Sequence, residues 1–277
     1  MKHNHFSIRI KTCAVQTHTN KNKKNKADYM THLHLAKKID QLGYQGFKEA
    51  YQRQSEDIAY SHMSFEERLY QLLDAQDIFL KNKRITMNHK LSKIKDKQAS
   101  LDAINYKADR KIDKAQIQSL SQLNFIRSNQ NVIITGKAGT GKSNLAQALA
   151  NRAIYDGFRV YYVRTPSLLE EIKIARMAGT YTTLLSKYSR FQLLILDDFG
   201  ISPMVEDDAT NLFEIIEDRT NINSTIITSQ LPVNEWYNYL NNNTIADAIL
   251  DRIVYSSHRI ELEGDSMRKI YSAIQKY

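Results

Sequence analysis

An eight-residue segment in the middle of the chain, GKAGTGKS at positions 136–143, has the composition and spacing of a loop that binds phosphate groups. Its glycines permit positive φ angles and a close approach of the backbone, so successive main-chain N–H groups can surround phosphate oxygens. Lys142 would reach the β- and γ-phosphates, and the Ser143 hydroxyl would ligate Mg²⁺. This Walker A pattern predicts binding of a nucleoside triphosphate. The predicted ligands are Gly136, Lys137, Ala138, Gly139, Thr140, Gly141, Lys142, Ser143 and the next residue, Asn144.

A second motif supplies carboxylates. Leu193–Leu196 is a run of four apolar residues that leads directly into Asp197 and Asp198. A buried strand that ends in Asp197 would hold its carboxylate beside Mg²⁺. Asp198 would then polarise the attacking water as a general base. This is the Walker B form, and its pairing with Walker A favours a nucleoside triphosphatase over a chance glycine-rich turn.

Two further positions could complete a hydrolytic site. The predicted strand Thr225–Thr228 leads into Gln230, and ligands of α/β sheets lie at the carboxyl ends of strands. Gln230 or Thr228 could orient the lytic water, although a turn-forming polar cluster explains these residues almost as well. Arg252 lies on a predicted helix and could act as an arginine finger on the γ-phosphate of a neighbouring subunit. A surface arginine that pairs with an acidic side chain would explain Arg252 equally well.

The elements that must position these residues alternate between strands and helices after residue 131. Short apolar, β-branched runs predict strands, and the segments between them have helical periodicity. The predicted strands are 131–135, 159–164, 193–196, 225–228 and 259–262. The predicted helices are 143–156, 166–178 with Thr165 as N-cap, 206–219 and 246–256. Such alternation predicts a parallel sheet covered by helices on both faces.

The first 120 residues differ from the rest in both pattern and charge. They contain 23 Lys and Arg against 13 Asp and Glu, whereas the remainder contains 16 against 17. This imbalance favours nucleic-acid binding over a basic surface that merely aids solubility. Ser64 and Glu67 form a capping box that begins a helix, and no strand pattern occurs before residue 131. Residues 1–29 are polar and basic without periodicity, which predicts a disordered arm.

Composition also excludes several classes of protein. No apolar run is long enough to span a bilayer, and the first 29 residues lack the apolar core of a secretory signal. The single cysteine, Cys13, excludes an intramolecular disulfide and a cysteine-based zinc site. The expected location is therefore the cytoplasm.

Further segments occur in the order typical of one family. From about Met30 to Tyr277 the chain resembles IstB, the AAA+ ATPase helper of IstA/IstB-type insertion sequences, and more broadly the DnaC-like clade of helicase loaders. The segments that carry the resemblance, besides Walker A, are 42–44, 49–51, 64–69, 168–171, 175–176, 194–200, 225–232, 247–252 and 260–268.

The resemblance implies a fold, an activity and partners. The fold would be a P-loop AAA+ parallel sheet flanked by helices, without a full C-terminal lid and preceded by a small all-helical domain. We expect the arm at 1–29, the helical N-terminal domain at 30–118 and the ATPase domain at 119–277. Such proteins bind and hydrolyse ATP with Mg²⁺, assemble as homo-oligomers on double-stranded DNA, and stimulate a transposase.

Site residues also follow from the resemblance. It assigns nucleotide contacts to Lys142 and Ser143, the metal carboxylate to Asp197, the catalytic acid to Asp198 and the arginine finger to Arg252. Gln230 stands where the wider clade often has Asn or Asp as sensor, and Arg268 is a candidate second sensor.

DNA contacts are predicted on the helix near residues 167–178. Because this region contacts DNA in the helicase-loader clade, the resemblance implies that Lys173 and Arg176 bind DNA; an exposed amphipathic helix is a close alternative. A basic stripe in the first third could contact DNA or an acidic partner. It comprises Lys81, Lys83, Arg84, Lys90, Lys93, Lys95 and Lys97.

Two other functions remain compatible with the same motifs. A replicative helicase loader would deliver a ring helicase to DNA with the same ATPase chemistry. A nucleotide-gated adaptor would use ATP to organise assembly and would hydrolyse it negligibly.

Overall fold

The structure, a computed structural model, describes residues 32–106, 110–241, 243–267 and 269. The arm predicted for residues 1–29 and the candidate sensor Arg268 lie outside these described residues. The chain divides into two units, Met1–Lys83 and Arg84–Tyr277.

The described part of the first unit is helical, as its sequence predicts. It comprises α1 (32–41), α2 (Gln45–Glu56), a 3₁₀ turn (Ile58–His62) and the start of α3 (Phe65–Leu91), which continues beyond Lys83. The capping box begins α3: the main-chain N–H of Ser64 donates to Glu67 Oε2 at 2.8 Å, and that of Glu67 donates to Ser64 Oγ at 3.2 Å. These two bonds satisfy amides that the first helical turn leaves without partners.

One parallel sheet forms the centre of the second unit. Its strands are β1 (Asn131–Gly136), β2 (Val160–Arg164), β3 (Leu193–Phe199), β4 (Ser224–Ser229) and β5 (Ser257–Leu262). Their order across the sheet is β2-β3-β4-β1-β5, and every neighbouring pair is parallel. All five predicted strands are confirmed, and β3 extends far enough to include both aspartates of Walker B.

Helices connect and cover these strands. They are α4 (Lys114–Ser121), α5 (Asn124–Arg127), α6 (Lys142–Tyr155), α7 (Thr165–Met177), α8 (Tyr181–Ser189), α9 (Glu206–Glu217), α10 (Trp236–Tyr239) and α11 (Asn243–Val254). The sequence does not predict α8, whose N-cap, Thr180, makes no side-chain capping bond. None of the helices in the described ranges combines the length and apolar character that crossing a bilayer requires.

The two faces of the sheet bury separate hydrophobic clusters. One contains the apolar side of α6 and residues of α4 and α5, and the other contains residues of α7 to α11. Ile94 and Ile117 lie in the first cluster with Leu145 of α6. The segment after α3 therefore packs into the core of the sheet-containing unit, which begins at Arg84.

Candidate nucleotide site

The Walker A segment connects β1 to α6 and wraps around the beginning of that helix. Gly141, the residue before α6, has a φ of 99°, which disfavours any residue with a side chain. A Cβ at Gly136 would lie 2.2 Å from the Leu262 carbonyl oxygen, so the loop can approach β5 only with glycine there. No side chain of the described residues caps α6, which leaves its first amides and its positive dipole end for an anion.

Lys142 is folded back onto the loop. Its Nζ donates to the carbonyl oxygens of Gly136 and Lys137 at 2.7 and 2.8 Å. The side chain is buried. Burial lowers the pKa of Lys142, and the nearby carboxylates of Asp197 and Asp198 oppose that shift. The loop thus holds a cation at the place where a triphosphate would need one.

Asp197, at the end of β3, is surrounded by hydroxyl groups and is only 2% exposed. Ser143 Oγ donates to its Oδ1 at 2.8 Å, and the Thr228 hydroxyl donates to the same oxygen. The Tyr162 hydroxyl donates to Oδ2. Thr165, predicted as the N-cap of α7, is instead the first residue of that helix, and its hydroxyl donates to the Asp197 carbonyl oxygen at 3.1 Å. Walker A and Walker B therefore meet through Ser143 and Asp197.

A bulge in β3 orients the side chains of Asp197 and Asp198 differently. The pairing with β4 passes from Leu196↔Ile227 to Phe199↔Ser229, so β3 has one more residue than β4 in this interval. Asp198 occupies the bulge with a φ of 59°, and its main-chain N–H donates to Thr228 Oγ1 at 3.2 Å.

The Asp198 carboxylate is ion-paired in this conformation. Its Oδ2 accepts a hydrogen bond from Arg164 Nε at 2.7 Å. Arg164 is the last residue of β2, and Asp197 lies opposite it in the sheet. The sequence analysis missed this arginine, because its contact with Asp198 depends on β2 and β3 being neighbours.

A cavity of about 670 Å³ opens beside the loop, within the range of small-molecule sites. Its lining includes Walker A residues, Asp198 and the exposed side chain of Gln230. Its other wall comes from residues 96–105, which include the 3₁₀ turn Leu101–Ala103, and from Arg110 and Ile112. Arg110 Nη1 donates to the Thr140 carbonyl oxygen of the loop at 3.2 Å. Sequence reasoning missed this wall because it carries no motif.

The structure does not bring Arg252 to this cavity. Its side chain donates to the Glu217 carboxylate and to the Ala248 carbonyl oxygen, the latter at 2.9 Å. Its own carbonyl oxygen accepts from Asn131 at 3.3 Å. Asn131 is the first residue of β1, whereas the Walker A loop follows the last. Arg252 therefore lies toward the opposite edge of the sheet and cannot reach a nucleotide held by the same chain.

Lys173 and Arg176 are half-exposed on α7 and bound to α9. Lys173 Nζ lies 3.2 Å from Asp208 Oδ2, and Arg176 Nε donates to Asn211 Oδ1 at 2.7 Å. The Arg176 guanidinium also lies 3.9 Å from the centre of the Tyr181 ring. Both cations thus have internal partners that a DNA phosphate would have to compete with.

The donor set suits Mg²⁺ rather than a softer metal. Ser143 and Asp197 present oxygen atoms, and Asp198 adds a carboxylate nearby. The described residues contain no group of three or more His, Cys, Asp or Glu side chains that could hold a metal alone. Mg²⁺ commonly uses one or two carboxylates together with substrate phosphates, so the arrangement fits a metal that arrives with a nucleotide.

Comparison with known sequences identifies a family match. The model of the family described as IstB-like ATP binding protein matches residues 37–273. The chain is 37% identical over 232 residues to the insertion sequence ATP-binding protein y4uH of Sinorhizobium fredii, covering 84% of this chain and 93% of that protein. It is 35% identical over 199 residues to the ATP-binding protein of insertion sequence IS1162 from Pseudomonas fluorescens, covering 72% and 86%.

Solved structures show likeness in the fold. The crystal structure of DnaI aligns with a TM-score of 0.52 and 21% identity over 60% of this chain and 92% of that chain. The crystal structure of a DNA replication initiation factor aligns with a TM-score of 0.51 and 20% identity. The second alignment covers 65% of this chain and 55% of the other, so this chain spans about half of that protein.

Proposed function

The chain belongs to the family of IstB-like ATP-binding proteins of insertion sequences, and from this membership we propose that it is a DNA-coupled ATPase that stimulates a transposase. It would bind Mg²⁺–ATP, assemble as a homo-oligomer on duplex target DNA and hydrolyse ATP there. The relatives named above are insertion-sequence proteins, which supports this role over helicase loading. The expected site of action is the cytoplasm.

The proposal rests above all on the meeting of Lys142, Ser143 and Asp197 beside a cavity of about 670 Å³. Lys142 would leave the two loop carbonyls and pair with the β- and γ-phosphates, while the amides at the start of α6 donate to phosphate oxygens. Ser143 and Asp197 would hold Mg²⁺, which neutralises charge that develops on the phosphates during transfer.

Asp198 is the proposed general base. It faces the cavity, but Arg164 holds its carboxylate, so the two side chains must separate before Asp198 can accept a proton from water. Gln230 lines the same cavity and can orient that water. Thr228 already donates to the Asp197 carboxylate and accepts from the Asp198 main-chain N–H, so its contribution would be to fix that carboxylate and the backbone of the bulge.

A direct test measures ATP hydrolysis with and without duplex DNA, and then strand transfer by a transposase from an insertion sequence that encodes an IstB-like protein. We expect DNA to accelerate hydrolysis and ATP to increase strand transfer. Tight ATP binding without hydrolysis under either condition would instead indicate the nucleotide-gated adaptor.

Arg252 is proposed to act in a neighbouring subunit. We expect Arg252→Ala to bind ATP normally and to lower the DNA-stimulated rate of ATP hydrolysis by about 10³-fold, which is the lower end of the range for loss of an arginine finger. A mixture of Arg252→Ala and Asp198→Asn chains should regain measurable turnover, because some interfaces then combine an intact Asp198 with an intact Arg252.

Glu217→Gln is the matched control for this experiment. It removes the ion pair that Arg252 makes in this structure but keeps the arginine, so its rate should stay near that of the wild type. If the mixture shows only the residual rates of its components, the role in a neighbouring subunit is wrong.

Lys173 and Arg176 are proposed to contact the DNA backbone. We expect the double variant Lys173→Gln, Arg176→Gln to reduce the slope of log affinity against log salt by about 2, since each phosphate contact contributes about 0.9. Fluorescence anisotropy with labelled duplex DNA at several salt concentrations measures this slope.

Asp208→Asn provides the control for the DNA experiment. It removes the carboxylate that pairs with Lys173 and therefore should maintain or increase DNA affinity. An unchanged salt slope in the double variant would indicate that DNA contacts another surface of the protein, such as the basic stripe of residues 81–97.

A further inference from the structure

We infer that the Tyr162 hydroxyl orients the Asp197 carboxylate for Mg²⁺ and thereby sets the Mg²⁺ concentration at which the protein binds ATP. Tyr162 is in this view a positioning residue that acts through Asp197. The inference rests on the proposed function, since it concerns the metal that would accompany ATP.

The placement of Tyr162 follows from the alternation of side chains along β2. Tyr161 and Val163 belong to the hydrophobic cluster on one face of the sheet, whereas Tyr162 belongs to the cluster on the face that α6 covers. Its side chain is 5% exposed and shares that cluster with Leu145 and Ala146, near the beginning of α6. Packing therefore fixes the ring, and its hydroxyl reaches the buried carboxylate at the end of β3.

The two carboxylate oxygens of Asp197 accept hydrogen bonds from different hydroxyl groups. Ser143 and Thr228 donate to Oδ1, and Tyr162 donates to Oδ2. Ser143 is also a proposed Mg²⁺ ligand, so its hydroxyl would serve the metal as well as the carboxylate and would not hold the carboxylate independently of the metal. Tyr162 and Thr228 would then be the side chains that keep the carboxylate in place.

Tyr162 is the one of these three donors whose hydroxyl can be removed most cleanly. Ser143 lies in the Walker A segment, and Thr228 also accepts from the main chain of Asp198. Tyr162→Phe deletes one oxygen and keeps the packed ring. Partners that orient a metal ligand typically contribute 10-fold to 100-fold to metal affinity, so the effect should be measurable without loss of the fold.

The experiment titrates Mg²⁺ into the full-length chain in the presence of a fluorescent ATP analogue. We expect Tyr162→Phe to raise the Mg²⁺ concentration for half-maximal binding by about 10-fold. Affinity for the analogue in EDTA and the melting temperature should stay close to the wild-type values. Tyr161→Phe is the matched control, because it deletes the same atom from the adjacent residue on the opposite face of β2 and should leave the Mg²⁺ dependence unchanged.

Each outcome separates this inference from the proposed function. If the wild-type chain does not bind the analogue at all, the proposed function fails and the inference fails with it. If the wild type binds with a clear Mg²⁺ dependence that Tyr162→Phe leaves unaltered, the inference alone is wrong. If Tyr162→Phe weakens binding of the analogue by the same factor in EDTA as in Mg²⁺, the role of Tyr162 is structural and the inference is also overturned. The same conclusion follows if the weaker binding is accompanied by a lower melting temperature.

Discussion

Lys142→Ala is expected to reduce ATP affinity by about 100-fold or more. Lys142 would make charge-assisted hydrogen bonds to two phosphates, each worth about 1.5–3 kcal/mol, and about 1.4 kcal/mol corresponds to a factor of 10 in affinity. Its present partners are main-chain carbonyls of Gly136 and Lys137, at the edge of a cavity, where water can replace the ammonium group. Calorimetry with Mg²⁺–ATP measures the loss, and thermal unfolding checks that the fold is intact.

Lys137→Ala is the control for that variant. Lys137 belongs to the same loop and is predicted to contact phosphate through its main-chain N–H, which the substitution keeps. Its side chain is exposed, and only its carbonyl oxygen takes part in the contacts described. Its replacement removes the same charge from the protein and should change ATP affinity by less than about threefold, as expected for an exposed surface charge. If Lys142→Ala retains wild-type affinity, the loop does not bind a triphosphate and the proposed ATPase activity has no basis.

The sequence predicts the parts of the site that depend on local pattern. The strand 131–135, the loop after it and the apolar run before Asp197 are each determined by neighbouring residues, and the structure places each of them as predicted. Parallel strands bring their carboxyl ends to one edge of the sheet, so the meeting of Ser143 with Asp197 also follows from topology.

Contacts that depend on strand order or on irregular backbone are not predicted. The pairing of Arg164 with Asp198 requires β2 to lie beside β3, and nothing within either strand specifies its neighbour. The start of the cavity wall is held by side chains that are distant in sequence: Asn151 Nδ2 donates to the Ala99 carbonyl oxygen at 2.8 Å, and Gln147 Oε1 accepts from the Asp96 N–H at 2.9 Å. Both are polar residues on α6 whose role the helical periodicity of α6 does not reveal.

The hydrogen-bond partners of the predicted DNA-binding residues are also not predicted by the sequence. Helical spacing places Lys173 and Arg176 on neighbouring turns of α7, and the structure agrees with that placement. Their carboxylate and amide partners come from α9, which follows in sequence only after β3. A basic pair that looks available for DNA in the sequence is therefore already hydrogen-bonded to α9.

Asp198→Asn is expected to bind Mg²⁺–ATP normally but to hydrolyse it about 10²-fold to 10⁴-fold more slowly, the range for loss of a general base. Asparagine has the same shape and tolerates the left-handed conformation that the φ of 59° requires, so the bulge in β3 should persist. Because hydrolysis would no longer release the assemblies, the variant should accumulate on DNA in the presence of ATP. Single-turnover hydrolysis and sedimentation with duplex DNA measure the two effects.

The two aspartates provide an internal comparison for this prediction. Asp197 is buried among hydroxyls and would hold the metal, whereas Asp198 faces the cavity. Asp197→Asn should therefore weaken Mg²⁺-dependent binding of ATP, while Asp198→Asn lowers turnover with binding preserved. Asp207→Asn, an exposed acid on α9, should change neither. Wild-type turnover in Asp198→Asn would require another base, and a loss of binding equal to that of Asp197→Asn would make Asp198 a metal ligand instead.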